Sequence, residues 1–509
     1  MKFFSTLFIA ALITSAATPL GAATVDEAWY RVEVAGTPAG WMVERAIDDG
    51  QRLMTETDLQ ISFRRGGTAL RLGMASRFLE TRDHQPLEMW TWQELGAAPQ
   101  EITYRFVDDG VLRTTAAGET RVDRPAGEWL TPFAADRRLQ EEAGALLATD
   151  PPEDGVRSLE IPIVDPSLGL QVVSTRWVLE KKSVTFSDGD RRIPASRWRQ
   201  SQSFAPQIES VVLLDGDGSM LSSTTPMMGL EIRFVRSERE AAQAFGDGPE
   251  LLVQSFIYPD RRLENPRQLR RAAYRVAVDG EPAELPSLGA QRTDAGRVIV
   301  DLDRIAPEPL TDGDRRRYLA PSTYLDFTAP AIVALHAAAV DGRPAELPAA
   351  ERARALRRLV NRHLDEKNLD SILATAGDAA ASRSGDCTEH AVLLSALLRA
   401  DGIPARVATG VIYVDAFAGK RHLFAYHMWS QAYLDGRWID LDATLADGVD
   451  YDAAHLIFDI PDLDDEGAAL VHMAGVAPLI GRASIDVLID AVKTPAGAQD
   501  PPAKAAGGP

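Results

Sequence analysis

The chain has 509 residues, a length that suggests about three domains rather than one large core. Hydrophobic residues make up 45% and charged residues 25%, a balance that excludes a wholly disordered chain and a multi-span membrane protein. Asp and Glu total 74 against 54 Lys and Arg, and the formal net charge of −20 makes nucleic acid an unsuitable partner. Cys387 is the single cysteine, so an internal disulfide is excluded.

The first 23 residues have the features of a secretory signal peptide. Lys2 supplies a positive charge, residues 3–17 are mostly apolar, and small residues at 21–23 allow a cut before Thr24. The apolar run is shorter than the roughly 20 residues that a membrane span needs, although an uncleaved anchor helix is the alternative. We therefore predict an exported protein, periplasmic or secreted, with no stable membrane insertion after cleavage.

Residues 24–246 have the pattern of an antiparallel β-rich domain. Apolar and polar residues alternate in segments such as Trp29–Val34, Ile102–Val107 and Val211–Leu214. Asp-Gly pairs begin at positions 49, 109, 188 and 215, and this dipeptide suits tight hairpin turns. One helix is predicted from Pro132 to about residue 147.

The rest of the chain divides into three further segments. Residues 247–312 predict a small β-rich module, with strands over Tyr274–Val278 and Arg297–Leu302. A helical period follows, and we assign residues 313–493 to one α+β domain. Residues 494–509 are rich in Pro, Ala and Gly and predict a disordered tail.

Cys387 lies where the chain enters a strongly predicted helix. Asp386 is a suitable N-cap, which makes Cys387 the first helical residue. The N-terminal end of a helix stabilises anions, so this position favours a reactive thiolate. A cysteine that only packs beneath the helix start fits this segment equally well.

Forty residues later the pattern predicts a β-hairpin around the Asp435-Gly436 turn. The register of that turn places His427, Asp440 and Asp442 on one face of the hairpin. Asp442 is the diagonal neighbour of His427, whereas Asp440 lies nearer the turn, and diagonal Cβ atoms are roughly 7 Å apart. We therefore favour Asp442 as the carboxylate that orients His427, and a solvated surface hairpin is the alternative.

These residues resemble the transglutaminase-like superfamily, whose catalytic core is related to papain-type cysteine proteases. The stretches that carry the resemblance are Gly385–Ala391, Ala396–Ala400, Gly402–Arg406, Tyr426–Trp429 and Asp435–Thr444. The resemblance implies a transglutaminase-like domain at 313–493, with Cys387 as the nucleophile, His427 as the base and Asp442 as the orienting acid. Asp-Ala-Thr replaces the usual Asp-Pro-Thr, and His-Met-Trp replaces His-Ala-Trp, but neither change removes a member of the triad.

Together with the signal-like segment, the resemblance implies an exported, thiol-dependent acyl-transfer enzyme that acts on peptide or carboxamide bonds of a protein or peptide substrate. Cysteine peptidase, amidase and transglutaminase activities all fit this chemistry. The alternative is a non-catalytic periplasmic binding or assembly protein that uses the domain as an interaction module.

A zinc site is a further alternative, because Cys387, His390, His422 and His427 are zinc-type ligands. His422 and His427 are five residues apart along one predicted strand and therefore point to opposite faces. We find no phosphate-loop, dinucleotide-binding or metalloprotease motif. The sequence thus predicts neither a metal nor another cofactor.

Overall fold

The computed structural model describes residues 24–492, except 95–98, 116–117, 150–156, 228–229, 343, 345, 370, 462 and 464–478. The predicted signal peptide and the predicted tail lie outside the described residues. Within the described part, the strands form three sheets, and no helix there is long and apolar enough to cross a membrane.

The first sheet contains fourteen antiparallel strands. They are β1 (Thr24–Val34), β2 (Thr37–Asp48), β3 (Arg52–Arg65), β4 (Thr68–Thr81), β5 (Pro86–Glu94), β6 (Gln100–Val107), β7 (Gly110–Thr115), β8 (Gly118–Val122), β9 (Ser158–Val164), β10 (Val172–Asp188), β11 (Arg191–Gln202), β12 (Ala205–Leu214), β13 (Met220–Met227) and β14 (Leu230–Ser237). The Asp-Gly pairs that begin at positions 49, 109, 188 and 215 lie at hairpin connections, as predicted. β1 also pairs with β14, so β8 and β9 are the two edges of the sheet.

A helix covers part of this sheet. α1 (Pro132–Ala148) begins at the predicted proline, and its buried Ala135 and Ala143 pack with Trp177 and Trp198. Small residues on the buried helix face let the helix approach the large indole rings closely. A short helix, α2 (Arg239–Gln243), follows the last strand.

The second sheet is smaller and takes strands from two distant parts of the chain. They are β15 (Leu269–Val278), β16 (Glu281–Pro282), β17 (Gln291–Asp294), β18 (Arg297–Asp301) and β23 (Ala483–Val492). β23 pairs with β15 across about 200 residues of sequence, which ties the C-terminal end of the described chain to the small module. Short 3₁₀ turns occur at Pro166–Leu168, Val253–Ser255 and Pro266–Gln268.

The third sheet and a group of helices form the region that contains Cys387. The strands, in spatial order, are β21 (Arg437–Leu441), β20 (Lys420–Leu434), β19 (Ala405–Phe417) and β22 (His455–Asp459). The helices are α3 (Asp312–Arg317), α4 (Pro330–Val340), α5 (Ala349–His363), α6 (Ala376–Ser382) and α7 (Cys387–Ala400). In α7, most side chains from Glu389 onward are buried, because the other helices and the sheet surround it.

The third sheet takes part in two hydrophobic clusters. Val407 and Met428 pack with the helices, whereas Val411 and Phe424 pack with the second sheet. The second sheet and one face of the third sheet therefore share a hydrophobic core. The fold prediction is confirmed: an antiparallel β-rich region precedes an α+β domain.

Candidate active site

The first turn of α7 is held by a reciprocal capping box. The Asp386 carboxylate accepts a hydrogen bond from the Thr388 amide at 2.8 Å, and the Glu389 carboxylate accepts one from the Asp386 amide at 2.8 Å. Cys387 is therefore the first residue of the helix, as the sequence predicts.

The loop before the helix packs closely against this turn. Gly385 has φ +153°, and a Cβ atom placed there would lie 2.4 Å from the Cβ of Glu389. The Glu389 side chain is buried and also accepts a hydrogen bond from the Ser371 hydroxyl at 2.7 Å. Only glycine fits this loop, and the fit fixes the backbone that leads to Cys387.

His427 on β20 is paired with Asp442. Its Nε2 lies 2.9 Å from Oδ2 of Asp442, so Nδ1 is the ring nitrogen that takes no part in this pair. The other carboxylate oxygen accepts from the amide and the hydroxyl of Thr444, at 2.8 and 2.7 Å. Of the two aspartates on the predicted face, Asp442 contacts the histidine, whereas Asp440 accepts from the Trp429 indole at 2.9 Å.

Asp442 is fully buried and remains ionised. Burial by itself raises the pKa of a carboxyl group, but here the charges and hydrogen bonds of His427 and His455 outweigh it. The pKa of Asp442 is therefore held well below its usual range. A buried carboxylate with four hydrogen-bond donors is a stable anchor for an imidazole.

A second histidine, which the sequence analysis missed, contacts the same carboxylate. His455 on β22 lies 3.3 Å from Oδ2 of Asp442 through Nε2 and 3.0 Å from Asp452 through Nδ1. Asp452 in turn forms an ion pair with Arg267 of the small module at 2.7 Å. Burial lowers the pKa of His455, but the two carboxylates raise it to about 9.

Packing of α7 on β20 brings Cys387 to the strand that carries His427. The Ser430 hydroxyl donates to the Ala391 carbonyl at 2.9 Å and accepts from Ser395 at 3.0 Å, which links helix and strand. The thiol faces the backbone amide of Met428, the residue after His427. Within the described residues, no hydrogen bond joins Cys387 directly to the His427 ring.

The surroundings of the half-buried thiol oppose its ionisation. Burial and the neighbouring Asp386 carboxylate raise the pKa of Cys387 well above its usual range. The guanidinium of Arg65 and the Met428 amide act in the opposite direction. The position at the helix start is as predicted, but these surroundings favour a neutral thiol rather than the expected thiolate.

The structure separates the candidate zinc ligands. His390 is buried on α7 and its Nδ1 donates to the Asp386 carbonyl at 2.6 Å, while His422 lies near Asp415, with the two side chains 3.6 Å apart. In the described part of the chain, the group of three metal-ligand-type side chains whose ligand atoms all lie within 4.8 Å of one another is His427, Asp442 and His455. Hydrogen bonding between the rings and the carboxylate accounts for that group without a metal.

Comparison with known proteins gives one family match. Residues 337–443 match the family described as the transglutaminase-like superfamily, which confirms the resemblance seen in the sequence. No curated protein sequence matches the chain.

Several solved structures are similar to parts of the chain. A β-barrel-like protein with a domain of unknown function from Brucella abortus is 12% identical over 42% of this chain and 95% of its own, with TM-score 0.31. A candidate cysteine protease from Cytophaga hutchinsonii is 18% identical over 47% of this chain and 83% of its own, with TM-score 0.25. The ethylmercury-bound periplasmic domain of TgpA from Pseudomonas aeruginosa is 18% identical over 37% of this chain and 87% of its own, with TM-score 0.25.

Proposed function

We propose that this chain, whose residues 337–443 form a transglutaminase-like domain, is an exported thiol-dependent acyl-transfer enzyme that acts on peptide or carboxamide bonds. The observation that carries the proposal is the buried His427–Asp442 pair, on a strand against which the Cys387 helix packs. A nucleophile, a base and a group that orients the base are the components of such a site.

In the proposed reaction the Cys387 sulfur attacks the carbonyl carbon of the substrate, and the thiol proton moves to Nδ1 of His427. The tetrahedral oxyanion accepts a hydrogen bond from the Cys387 amide at the helix start. The C–N bond then breaks, and the leaving amine takes the proton from the imidazolium. A thioester remains, and water or a second amine releases the acyl group by the same proton transfers in reverse order.

The protonation states of Cys387 and Asp442 determine the role of His427 in the proposed reaction. Burial and Asp386 keep the Cys387 thiol neutral before substrate binds. We therefore propose that His427 removes the thiol proton during the attack, and that no stable thiolate–imidazolium pair forms beforehand. The low pKa of Asp442 keeps that carboxylate charged, so it stabilises the imidazolium that forms.

The test is turnover by the mature protein beginning at Thr24, with a labelled amine and with peptide or glutamine-containing protein substrates. Cys387→Ala and His427→Gln should abolish turnover while the protein stays folded, and His422→Gln is the matched control on the same strand. Amine incorporation identifies a transferase and cleavage identifies a peptidase or amidase. Full turnover in Cys387→Ala would contradict the proposal.

Export is the second part of the proposal, and its support is the signal-like segment at residues 1–23. Cell fractionation with mass spectrometry of the mature N-terminus tests it. An N-terminus at Thr24 in the periplasm or medium is expected, and an intact N-terminus in the cytoplasm would contradict it.

One observation favours a second candidate function, a non-catalytic binding or assembly protein. The half-buried thiol lies beside a carboxylate that opposes ionisation, which is unfavourable for a reactive cysteine. The rate of alkylation by iodoacetamide as a function of pH separates the two. Alkylation of Cys387 that is faster in wild type than in His427→Gln supports the enzyme, because it shows that the imidazole assists loss of the thiol proton, and equal rates in the two proteins at every pH support the binding role.

A further inference from the structure

A hairpin of the N-terminal sheet reaches the start of the Cys387 helix. The tip between β3 and β4 presents Arg65, whose Nη1 lies 2.6 Å from Oδ2 of Asp386. The same nitrogen donates to the Ser371 carbonyl at 3.1 Å. The Arg65 side chain is 23% exposed and that of Asp386 is 8% exposed, so this ion pair is largely shielded from water.

The hairpin tip is itself held in place. The Glu250 carboxylate accepts hydrogen bonds from the amides of Gly66 and Gly67, each at 3.0 Å. The backbone of Arg64 exchanges two hydrogen bonds with the 249–251 segment, both at 2.8 Å. These hydrogen bonds hold the turn that follows Arg65 in a fixed position.

Contacts from the same sheet continue onto the helical region. Leu72 of β4 packs against the helical core, and Arg113 of β7 donates to the Thr323 hydroxyl at 3.1 Å. The N-terminal sheet is thus docked at several points on the region that contains the thiol.

Arg65 is the cation that opposes the acidic groups around the thiol. Burial has the largest effect and raises the pKa of Cys387. The N-cap carboxylate of Asp386 and the first-turn carboxylate of Glu389 raise this pKa further, whereas the Arg65 guanidinium lowers it. His427 lies on β20, next to Met428, whose amide faces the thiol. Neutralising the N-cap carboxylate reduces its repulsion of a developing thiolate, and a positive charge nearby attracts that thiolate.

We propose that Arg65 is a positioning residue of the thiol site, through which the N-terminal sheet clamps the Asp386 cap and offsets its charge next to Cys387. The inference rests on the proposed function and deepens it. If Arg65 has this role, the N-terminal sheet contributes a residue to the thiol site and is not an independent domain.

The test measures the alkylation rate of Cys387 against pH in the full-length mature protein, which needs no substrate. Removal of a nearby opposite charge shifts a pKa by about one unit or more, so Arg65→Gln should move the plot of alkylation rate against pH to higher pH and slow alkylation at pH 7 about tenfold. Arg65→Lys should recover most of the rate, because it keeps the charge. Arg64→Gln, the same change on the exposed neighbour, should leave the profile unchanged.

Two further variants separate charge from docking. Asp386→Asn keeps an N-cap side chain but removes the carboxylate, and it should move the profile to lower pH and reduce the effect of Arg65→Gln. Arg113→Gln removes another contact of the same sheet and should not shift the profile. A profile for Arg65→Gln that matches wild type, or an equal shift in Arg113→Gln, would overturn the inference.

Failure of the inference and failure of the proposed function give different results. Turnover that survives Cys387→Ala refutes the enzyme but leaves the alkylation shift measurable. An enzyme that depends on Cys387 but is indifferent to Arg65 in both turnover and alkylation refutes only the inference.

Discussion

Replacing His455 with glutamine should remove a pH-dependent part of the stability of this protein. The imidazole is fully buried between Asp442 and Asp452, and these carboxylates raise its pKa from 6.5 to about 9 although burial opposes them. The histidine is therefore protonated at neutral pH in the folded protein and mostly neutral there in the unfolded chain.

The size of the effect follows from the shift. A rise of roughly 2.5 units at about 1.36 kcal/mol per unit corresponds to about 3 kcal/mol of stabilisation. Because the folded pKa is raised, this stabilisation is complete below about pH 6.5 and disappears as the pH rises through about 9. Wild type should therefore lose about 3 kcal/mol over that interval relative to His455→Gln.

The assay is urea denaturation at half-unit steps from pH 6 to 9.5, followed by tryptophan fluorescence. Trp429 is a suitable probe, since its ring centroid lies 5.3 Å from that of His455. Taking the difference between wild type and variant cancels the other titrating groups, and His422→Gln is the control for losing a histidine elsewhere. Parallel stability profiles for wild type and His455→Gln would refute the charge assignment.

Three further changes probe the same site. Gly385→Ala should destabilise the fold by about 2 kcal/mol in urea melts, because the methyl group meets Glu389 at a positive φ; unchanged stability would contradict the packing. Ser430→Ala should cost about 1–2 kcal/mol, since it removes the hydroxyl bridge to the Ala391 carbonyl, and a melt equal to wild type would show that the bridge is dispensable. Asp442→Asn should lower kcat at least about 100-fold with a smaller effect on KM, because the base loses its orienting charge; equal kcat values would remove Asp442 from the mechanism.

Local features of the sequence were enough to predict much of the architecture. Asp-Gly pairs specify hairpin turns, and the Asp386 cap starts the helix at Cys387, because both depend on residues a few positions apart. The same holds for the hairpin around residues 435–436, whose register from Leu434–Arg437 to Gln431–Asp440 is as expected. That register was sufficient to place His427 and Asp442 on the same side.

The hairpin register predicts side-chain positions only as far as the two strands stay hydrogen-bonded to each other. The structure pairs Ser430 with Leu441 as the last hydrogen-bonded pair of the two strands, so Asp442 lies beyond the end of the ladder whose register was predicted. Instead, Asp442 turns inward, where the buried Arg357 donates to its carbonyl at 3.3 Å. A helix some 80 residues upstream supplies that arginine, and turn chemistry alone carries no information about it.

By itself, the sequence determined much of the order of the elements, the helix start at Cys387 and the common side of His427 and Asp442, because these follow from periodicity, turn chemistry and caps. The tertiary structure decided the electrostatics of the site. His455 reaches it from β22, Arg267 from a 3₁₀ turn and Arg65 from the N-terminal sheet. Burial reversed the effect that the helix start was expected to have on the pKa of the thiol. Desolvation and long-range charge pairing depend on which distant segments pack together, and the local sequence pattern does not indicate which segments these are.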